Sequence, residues 1–462
     1  MSEHDHGGAA RADQDPGAPA PDDGRSVRRT ALLAGGVVAA AAVAGIALGV
    51  MLLSGRQPEA GVAPSASSSV SASATPDASA APSEPAPTPV ATAASTPAPA
   101  PASTDLVWTQ TATFPAPGGL SMVDDVAQLG EQFVAVGVEF EAPLPNVGPT
   151  PLHHARAWKT ADGSSWESIE LGPEFANVRI GDLIVAGDGS LIAFGVRGIP
   201  DDSGYIDEVE PATWTTSDGL AWQEIEPPLD GFVGPVEQDA VGILAVVRAS
   251  ISTDVHELWF SSDGEIWQAV HSLQGDYVDV GAGDEGFAAV GWAGGEAGTP
   301  LTVASGDGLA WIDGPVPPFG RFIEVASLGG DWIVVDDPGG VAPTWFSANG
   351  LDWSAHGEIE FETVELPDAE CREYRERLLS AGPWLVASTE LTYPCSEGGF
   401  QVHGTQYLSV DGASWQAVPL SEGTVGENRS GSRVNNAQAT GNGLILVGEE
   451  DGAATFWFGQ AP

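Results

Sequence analysis

Basic side chains are scarce in this chain. Its 462 residues carry 16 Lys plus Arg against 64 Asp plus Glu, a formal net charge of -48. Lys159 is the one lysine. Such a surface repels nucleic acid and anionic lipid headgroups, so neither is expected to bind through a basic patch. It favours solubility, and it suits cations or basic partners better. Cysteine is nearly missing: only Cys371 and Cys395 occur. Long apolar runs are equally rare, and the one present, also uncharged, spans Ala31 to Leu53. No cysteine lies near its end, which excludes a lipoprotein anchor.

That run is about long enough to cross a bilayer core as a helix. Arg25, Arg28 and Arg29 precede it and Arg56 alone follows, which places the N-terminus in the cytoplasm and the remainder outside. A signal anchor, a cleaved secretory signal and a twin-arginine signal on Arg28-Arg29 all fit the pattern. The run exceeds an ordinary signal-peptide core, which favours the anchor and a single-pass cell-membrane protein. Residues 1–24 read as a disordered cytoplasmic tail and 25–54 as the basic flank and anchor. Residues 55–104, almost wholly Ala, Pro, Ser and Thr, read as a stalk. At roughly 3.1 Å per residue in polyproline II form, it would reach on the order of 100 Å. Residues 105–462 read as the ectodomain. An even cysteine pair on this side of a membrane reads as a disulfide between Cys371 and Cys395. Its closed loop would add roughly 3 kcal/mol.

What the ectodomain has in plenty is one short pattern. It occurs as Thr160-Ala-Asp162-Gly163-Ser-Ser-Trp166, and again around Asp218-Gly219 with Trp222, Asp263-Gly264 with Trp267, and Asp307-Gly308 with Trp311. Two more copies centre on Asn349-Gly350 with Trp353 and Asp411-Gly412 with Trp415. Ser or Thr first and Gly fourth suit a type I turn followed by a left-handed glycine, as in a three-residue hairpin. If Ser261 opposes Glu265, then Trp259 faces Trp267. The same register pairs Trp158 with Trp166, Trp214 with Trp222, Trp345 with Trp353, Val303 with Trp311 and Tyr407 with Trp415. The tryptophans thus read as cross-strand structural pairs rather than a sugar-stacking platform.

An apolar segment precedes each hairpin, beginning at Phe133, Leu191, Ile243, Phe287, Trp332, Trp384 and Leu444. With a further short strand before each, every repeat supplies about four strands, the propeller blade. The last repeat lacks its outer strand, and Leu106 to Phe114, with Trp108, supplies the missing piece beside Trp457. The expected fold is therefore all-β, a seven-bladed β-propeller closed by its N-terminal strand. Six blades with a ragged start, or an open solenoid, are the alternatives.

The Ser-x-Asp-Gly-x-x-Trp turns resemble a shortened form of the Asp-box of bacterial sialidase-type propellers, over about residues 105–462. The resemblance implies the propeller and a structural role for the turns. A sialidase would also need an arginine triad, a Tyr–Glu nucleophile pair and an aspartic acid/base. No Phe/Tyr-Arg-Ile-Pro segment is present, so no catalytic residue carries over.

The Asp turns mark one face of a propeller, and long insertions mark the other. The insertions are Glu139–His154, Arg197–Pro211, the Gly357–Arg377 region, Glu390–Gly404 and Ser421–Asn435, in blades 1, 2, 6 and 7. They carry the candidate ligand-binding residues His153, His154, Asp201, Asp202, Tyr205, Arg372, Tyr374, Arg375, Tyr393 and His403. His153 and His154 would point to opposite sides of a strand, so no shared metal is expected. No cofactor is expected. Calcium on Asp201, Asp202 and Asp207 lacks a complete ligand-loop pattern. The expected function is an extracytoplasmic binding or scaffolding module for an envelope protein or glycan, held to the membrane by residues 31–53. The alternative is a sialidase-like glycoside hydrolase.

Overall fold

The computed structural model describes residues 103–117, 119–141, 152–201, 206–250, 253–294, 298–320, 324–336, 341–361, 373–394, 400–420 and 432–462. The expected cytoplasmic tail, the run Ala31–Leu53 and nearly all of the expected stalk lie outside the described residues, as do Asp202, Tyr205, Cys371, Arg372 and Cys395. Among the described residues no helix is long and apolar enough to cross a membrane.

The first strand, β1 (Val107–Phe114), belongs to the last blade. Blade 1 holds β2 (Leu120–Leu129), β3 (Gln132–Phe140), β4 (His153–Thr160) and β5 (Glu167–Ile169). Blade 2 holds β6 (Val178–Val185), β7 (Leu191–Pro200), β8 (Ile206–Thr216) and β9 (Gln223–Ile225). Blade 3 holds β10 (Phe232–Gln238), β11 (Ile243–Arg248), β12 (Val255–Ser261) and β13 (Gln268–Gln274). Blade 4 holds β14 (Tyr277–Gly283), β15 (Gly286–Ala293), β16 (Thr299–Ser305) and β17 (Ile312–Asp313). Blade 5 holds β18 (Glu324–Leu328), β19 (Asp331–Val335), β20 (Val341–Ser347) and β21 (Ser354–Glu360). Blade 6 holds β22 (Glu373–Ala381), β23 (Trp384–Pro394), β24 (Phe400–Ser409) and β25 (Gln416–Val418). Blade 7 holds β26 (Ser432–Thr440), β27 (Gly443–Glu450) and β28 (Ala453–Gln460), with β1 as its outer strand.

Seven blades and N-terminal closure are thus what the structure has. β1 pairs antiparallel with β28 from Val107↔Gln460 to Phe114↔Ala454. Pairing removes the open outer edge of β28, and packing shuts the ring. Phe114 and Trp166 both pack on Phe456, the latter stacked at 4.1 Å between ring centres. The core is a set of apolar clusters between neighbouring blades. Phe194, Ile243 and Ala245 join blades 2 and 3, and Ile333, Leu385 and Tyr407 join blades 5 and 6.

The hairpin register differs from the sequence expectation. Trp158 pairs with Ser168, Trp214 with Glu224, Trp259 with Ala269, Val303 with Asp313, Trp345 with Ala355 and Tyr407 with Ala417. The outer strand starts one residue after the motif tryptophan, so that tryptophan has no cross-strand partner. The cause is the aspartate. Asp162 Oδ1 accepts from the Ser164 and Ser165 amides, both at 2.8 Å, while Thr160 Oγ1 accepts from Gly163 N at 3.1 Å. Capping two successive amides makes a wider loop than a three-residue hairpin. The tryptophan folds back over it, and Trp166 Nε1 donates to Gly163 O at 3.2 Å. Its ring wedges against the preceding blade, as Trp267 does on Phe194.

Two insertions prove to be strand rather than loop. The β7–β8 ladder runs from Leu191↔Thr216 to Pro200↔Ile206, and the β23–β24 ladder from Leu385↔Ser409 to Pro394↔Phe400. In blade 3 the corresponding ladder stops at Val247↔Glu257. On the face opposite the Asp turns, the hairpins of blades 2 and 6 therefore continue about 15 Å further than that of blade 3 and about 7 Å further than those of blades 1 and 7.

Candidate functional site

The inner strands line a central channel, and they place polar side chains, most of them ionisable, at one level of it. Asp125, Asp182, Asp279, Glu324, Arg377 and Asn436 pair with Val136, Phe194, Val290, Val335, Ser388 and Val447. Those partners are equivalent positions of the second strand in blades 1, 2, 4, 5, 6 and 7. In blade 3 an irregularity between Val233 and Val236 interrupts the pattern, and Glu237 enters the channel instead. Similar bulges flank Asp125, Asp182 and Asn436. A bulge re-aims side chains, here polar ones within otherwise apolar strands.

Several of these groups tie one blade to the next. Leu183 N of blade 2 donates to Asp125 Oδ2 of blade 1 at 2.5 Å, and Asn436 Nδ2 of blade 7 donates to Asp125 Oδ1. Val325 N of blade 5 donates to Asp279 Oδ2 of blade 4 at 2.8 Å. Leu378 N of blade 6 donates to Glu324 Oε2 at 3.4 Å, and Arg377 Nη1 donates to Asn435 O of blade 7 at 2.7 Å. Inner strands are unpaired on their channel side, so these acceptors satisfy amides that no ladder reaches. Arg179, buried, grips Asp124 with Nε and Nη2 at 3.2 and 2.6 Å, joining blades 1 and 2.

Crowding acids away from bulk water favours their neutral forms. Burial, then the charge of Asp182, holds Asp125 well above the usual carboxylate range. Burial, then Glu324, does the same for Asp279. Burial pushes Asp182 up to about 7 against the pull of Arg377, with Asp124 adding to the rise and Arg179 opposing it. Glu237 is pushed up to about 8 by burial, helped by Asp182, Asp239 and Glu324. The influence of Arg377 on Asp182 and of Glu324 on Glu237 shows that side chains of non-adjacent blades face one shared space. Tyr277 donates its hydroxyl to Glu324 Oε1 at 2.9 Å. Burial and that carboxylate hold its phenol well above its ordinary value. Burial, then Arg433, lowers Arg377.

Of the insertion-face candidates, His153, His154 and Asp201 lie outside this ring. His153 is buried beside Phe140, with ring centres 5.4 Å apart. His154 faces the other way and meets Glu141 Oε1 through Nε2 at 2.9 Å. Asp201 is exposed just past β7. In blade 6 the ladder sets Tyr374 opposite Leu391 and Leu391 opposite His403, so Tyr374 and His403 occupy one row. Arg375 pairs with Glu390 and Tyr393 with Gln401. Among the described residues no group of three or more His, Cys, Asp or Glu side chains is arranged to hold a metal. The sequence does carry a signal for the ring. A polar residue stands eight before the apolar segments at Phe133, Phe287, Trp332 and Leu444, at Asp125, Asp279, Glu324 and Asn436, and Arg377 stands seven before the segment at Trp384.

No family model matches the chain, and no curated protein does. Solved structures do resemble it. The β-propeller domain of the Trilobed protease from Pyrococcus furiosus shares 9% identity over 74% of this chain and 95% of its own, with a TM-score of 0.41. The polysaccharide lyase Uly1 shares 10% identity over 65% and 78%, with a TM-score of 0.39. The six-bladed fungal lectin from Aleuria aurantia shares 13% over 65% and 96%, with a TM-score of 0.36. At such identities the likeness is one of propeller architecture alone.

Proposed function

We propose that this protein is a membrane-anchored, extracytoplasmic propeller that binds or scaffolds a protein or glycan of the cell envelope through its insertion face. The observation that carries this reading is the pair of long hairpins, β7–β8 and β23–β24, whose ladders are the longest among the described residues on that face. Rigid strands that project from a closed ring offer a recognition surface at little ordering cost. The charge of -48 favours a basic partner or a neutral glycan. The test is retention of solubilised envelope fractions and of a glycan array by the full chain. A variant with residues 197–211 replaced by a two-residue turn is expected to lose retention. A wild-type chain that retains nothing would sink the reading.

A second reading, a sialidase-like glycoside hydrolase, draws support from the Tyr277–Glu324 hydrogen bond beside Arg377 in the channel. It predicts turnover of aryl glycosides that Tyr277→Phe abolishes. Against it, Glu324 Oε2 is already taken by Leu378 N, and the phenol is held protonated. A panel of aryl glycosides left intact by the wild-type chain removes this reading.

A further inference from the structure

Proline shortens the outer strand of blade 2. β9 ends at Ile225, and Glu226-Pro227-Pro228 follows. Proline has no amide to give a ladder, so pairing stops there. In blade 3 no proline intervenes, and β13 pairs along β12 from Phe260↔Gln268 to Val255↔Gln274. β9 pairs with β8 only at Thr213, Trp214 and Thr215. Among the described residues no strand pairs with the outer edge of β8 from Ile206 to Ala212. In blade 1, by contrast, the Pro173–Phe175 turn brings Ala176 against His154 and Asn177 N onto His153 O at 2.6 Å. The open edge of blade 2 lies on one of the two long hairpins of the insertion face.

The open edge has a defined chemistry. Pro211 sits opposite Val196 in the β7–β8 ladder. A ladder tolerates proline only where its missing amide would point away, so residues 209 and 211 direct their backbone groups outward. Glu208 and Glu210 are exposed and lie on one face of the strand, and Val209 and Pro211 lie half-buried on the other. On the acidic face Arg197 is held by Glu224 at 2.8 and 2.7 Å and stands 3.9 Å from Glu210. Two carboxylates there share one cation, and Glu208 adds a third on the same face.

We propose that the outer edge of β8 is a strand-addition site for an extended, basic segment of a partner protein. The incoming strand takes backbone hydrogen bonds from the amide and carbonyl of Val209 and from the carbonyl of Pro211. It sets Lys or Arg side chains beside Glu208 and Glu210, and apolar side chains beside Val209 and Pro211. Charge complementarity selects a polypeptide of alternating basic and apolar residues, and a neutral or acidic strand is rejected.

This inference rests on the insertion face being the binding face, and the test separates the two. The probe is a fluorescent, end-capped heptapeptide alternating Lys and Val, offered to the full chain. Glu-for-Lys and alternately N-methylated versions serve as controls. The Lys–Val peptide is expected to bind with salt-sensitive affinity, and the two controls are not. On binding, amide exchange slows across residues 206–212. Val209→Pro, at the parity Pro211 already tolerates, weakens binding about tenfold with the thermal midpoint unchanged. Equal binding by the N-methylated peptide, or unchanged exchange over 206–212, overturns strand addition. Retained capture of an envelope fraction alongside that result would leave the broader binding reading standing.

Discussion

At the residue scale the repeat glycines do more than turn the chain. Each has a positive φ, from 70° at Gly412 to 82° at Gly264, and each presses its Cα against the preceding blade. A Cβ at Gly308 would lie 2.3 Å from the Phe260 ring, whereas one at Gly264 would lie 3.3 Å from Ile192 Cδ1. Both Ala variants bear the left-handed backbone cost, about 1 kcal/mol. Gly308→Ala must also displace a buried ring, adding about 1–3 kcal/mol. Urea denaturation is expected to rank Gly308→Ala well below Gly264→Ala, and equal midpoints would refute the close-approach account. The glycines and aspartates were legible in the sequence as turn residues. The register was not, because whether an aspartate caps one amide or two depends on loop geometry that the spacing alone does not encode.

At the scale of elements, β1 differs from every other outer strand. The Asp turn connects β13 covalently to β12, whereas only hydrogen bonds and packing hold β1 to β28. Trp108 covers Gly459, and Phe114 packs edge-on against Phe456 at 5.9 Å. Sub-global opening starts where the fewest connections must break. Amides of β1 and β28 are expected to exchange before those of β12 and β13, and Phe114→Ala, costing about 2–3 kcal/mol, widens that gap. Uniform exchange across the blades would contradict it. The closure itself was readable from the sequence, since a blade short of one strand at one terminus and a stray strand at the other admit few solutions. The lengths of the outer strands were equally written there, as proline after Ile169, Ile225, Asp313 and Val418. The extension of β7–β8 and β23–β24 was not, because paired strands and long loops of mixed polarity share a composition.

At the scale of the whole molecule two families of acids pull stability in opposite directions with pH. The Asp-turn carboxylates accept paired backbone amides, and Asp162, Asp218, Asp263, Asp307 and Asp411 are held below the usual range. Their contribution is present above the unfolded value near 3.8 and lost as the pH falls below it. The channel acids do the reverse. Asp182, facing Arg377, Asp124 and Arg179, and Glu237, facing Asp182, Asp239 and Glu324, are pushed up to about 7 and about 8. The folded protein then binds more protons than the unfolded chain, so their contribution is complete below about pH 4 and lost as the pH rises through 7 to 8. Each tenfold gain in proton affinity on folding corresponds to on the order of 1.4 kcal/mol, a figure that the half-burial of both side chains reduces through solvent screening. Stability is expected to peak near pH 4–5, below the usual range for globular proteins. General repulsion from the net charge of -48 declines in the same direction, but salt screens it and screens the channel far less. Thermal midpoints from pH 4 to 9 in high salt should therefore still fall for the wild type. Asp182→Asn and Glu237→Gln, which cannot ionise, should flatten that fall while leaving the acid limb set by the Asp turns unchanged. A wild-type curve already flat in high salt would place the effect in the surface charge and not in the ring.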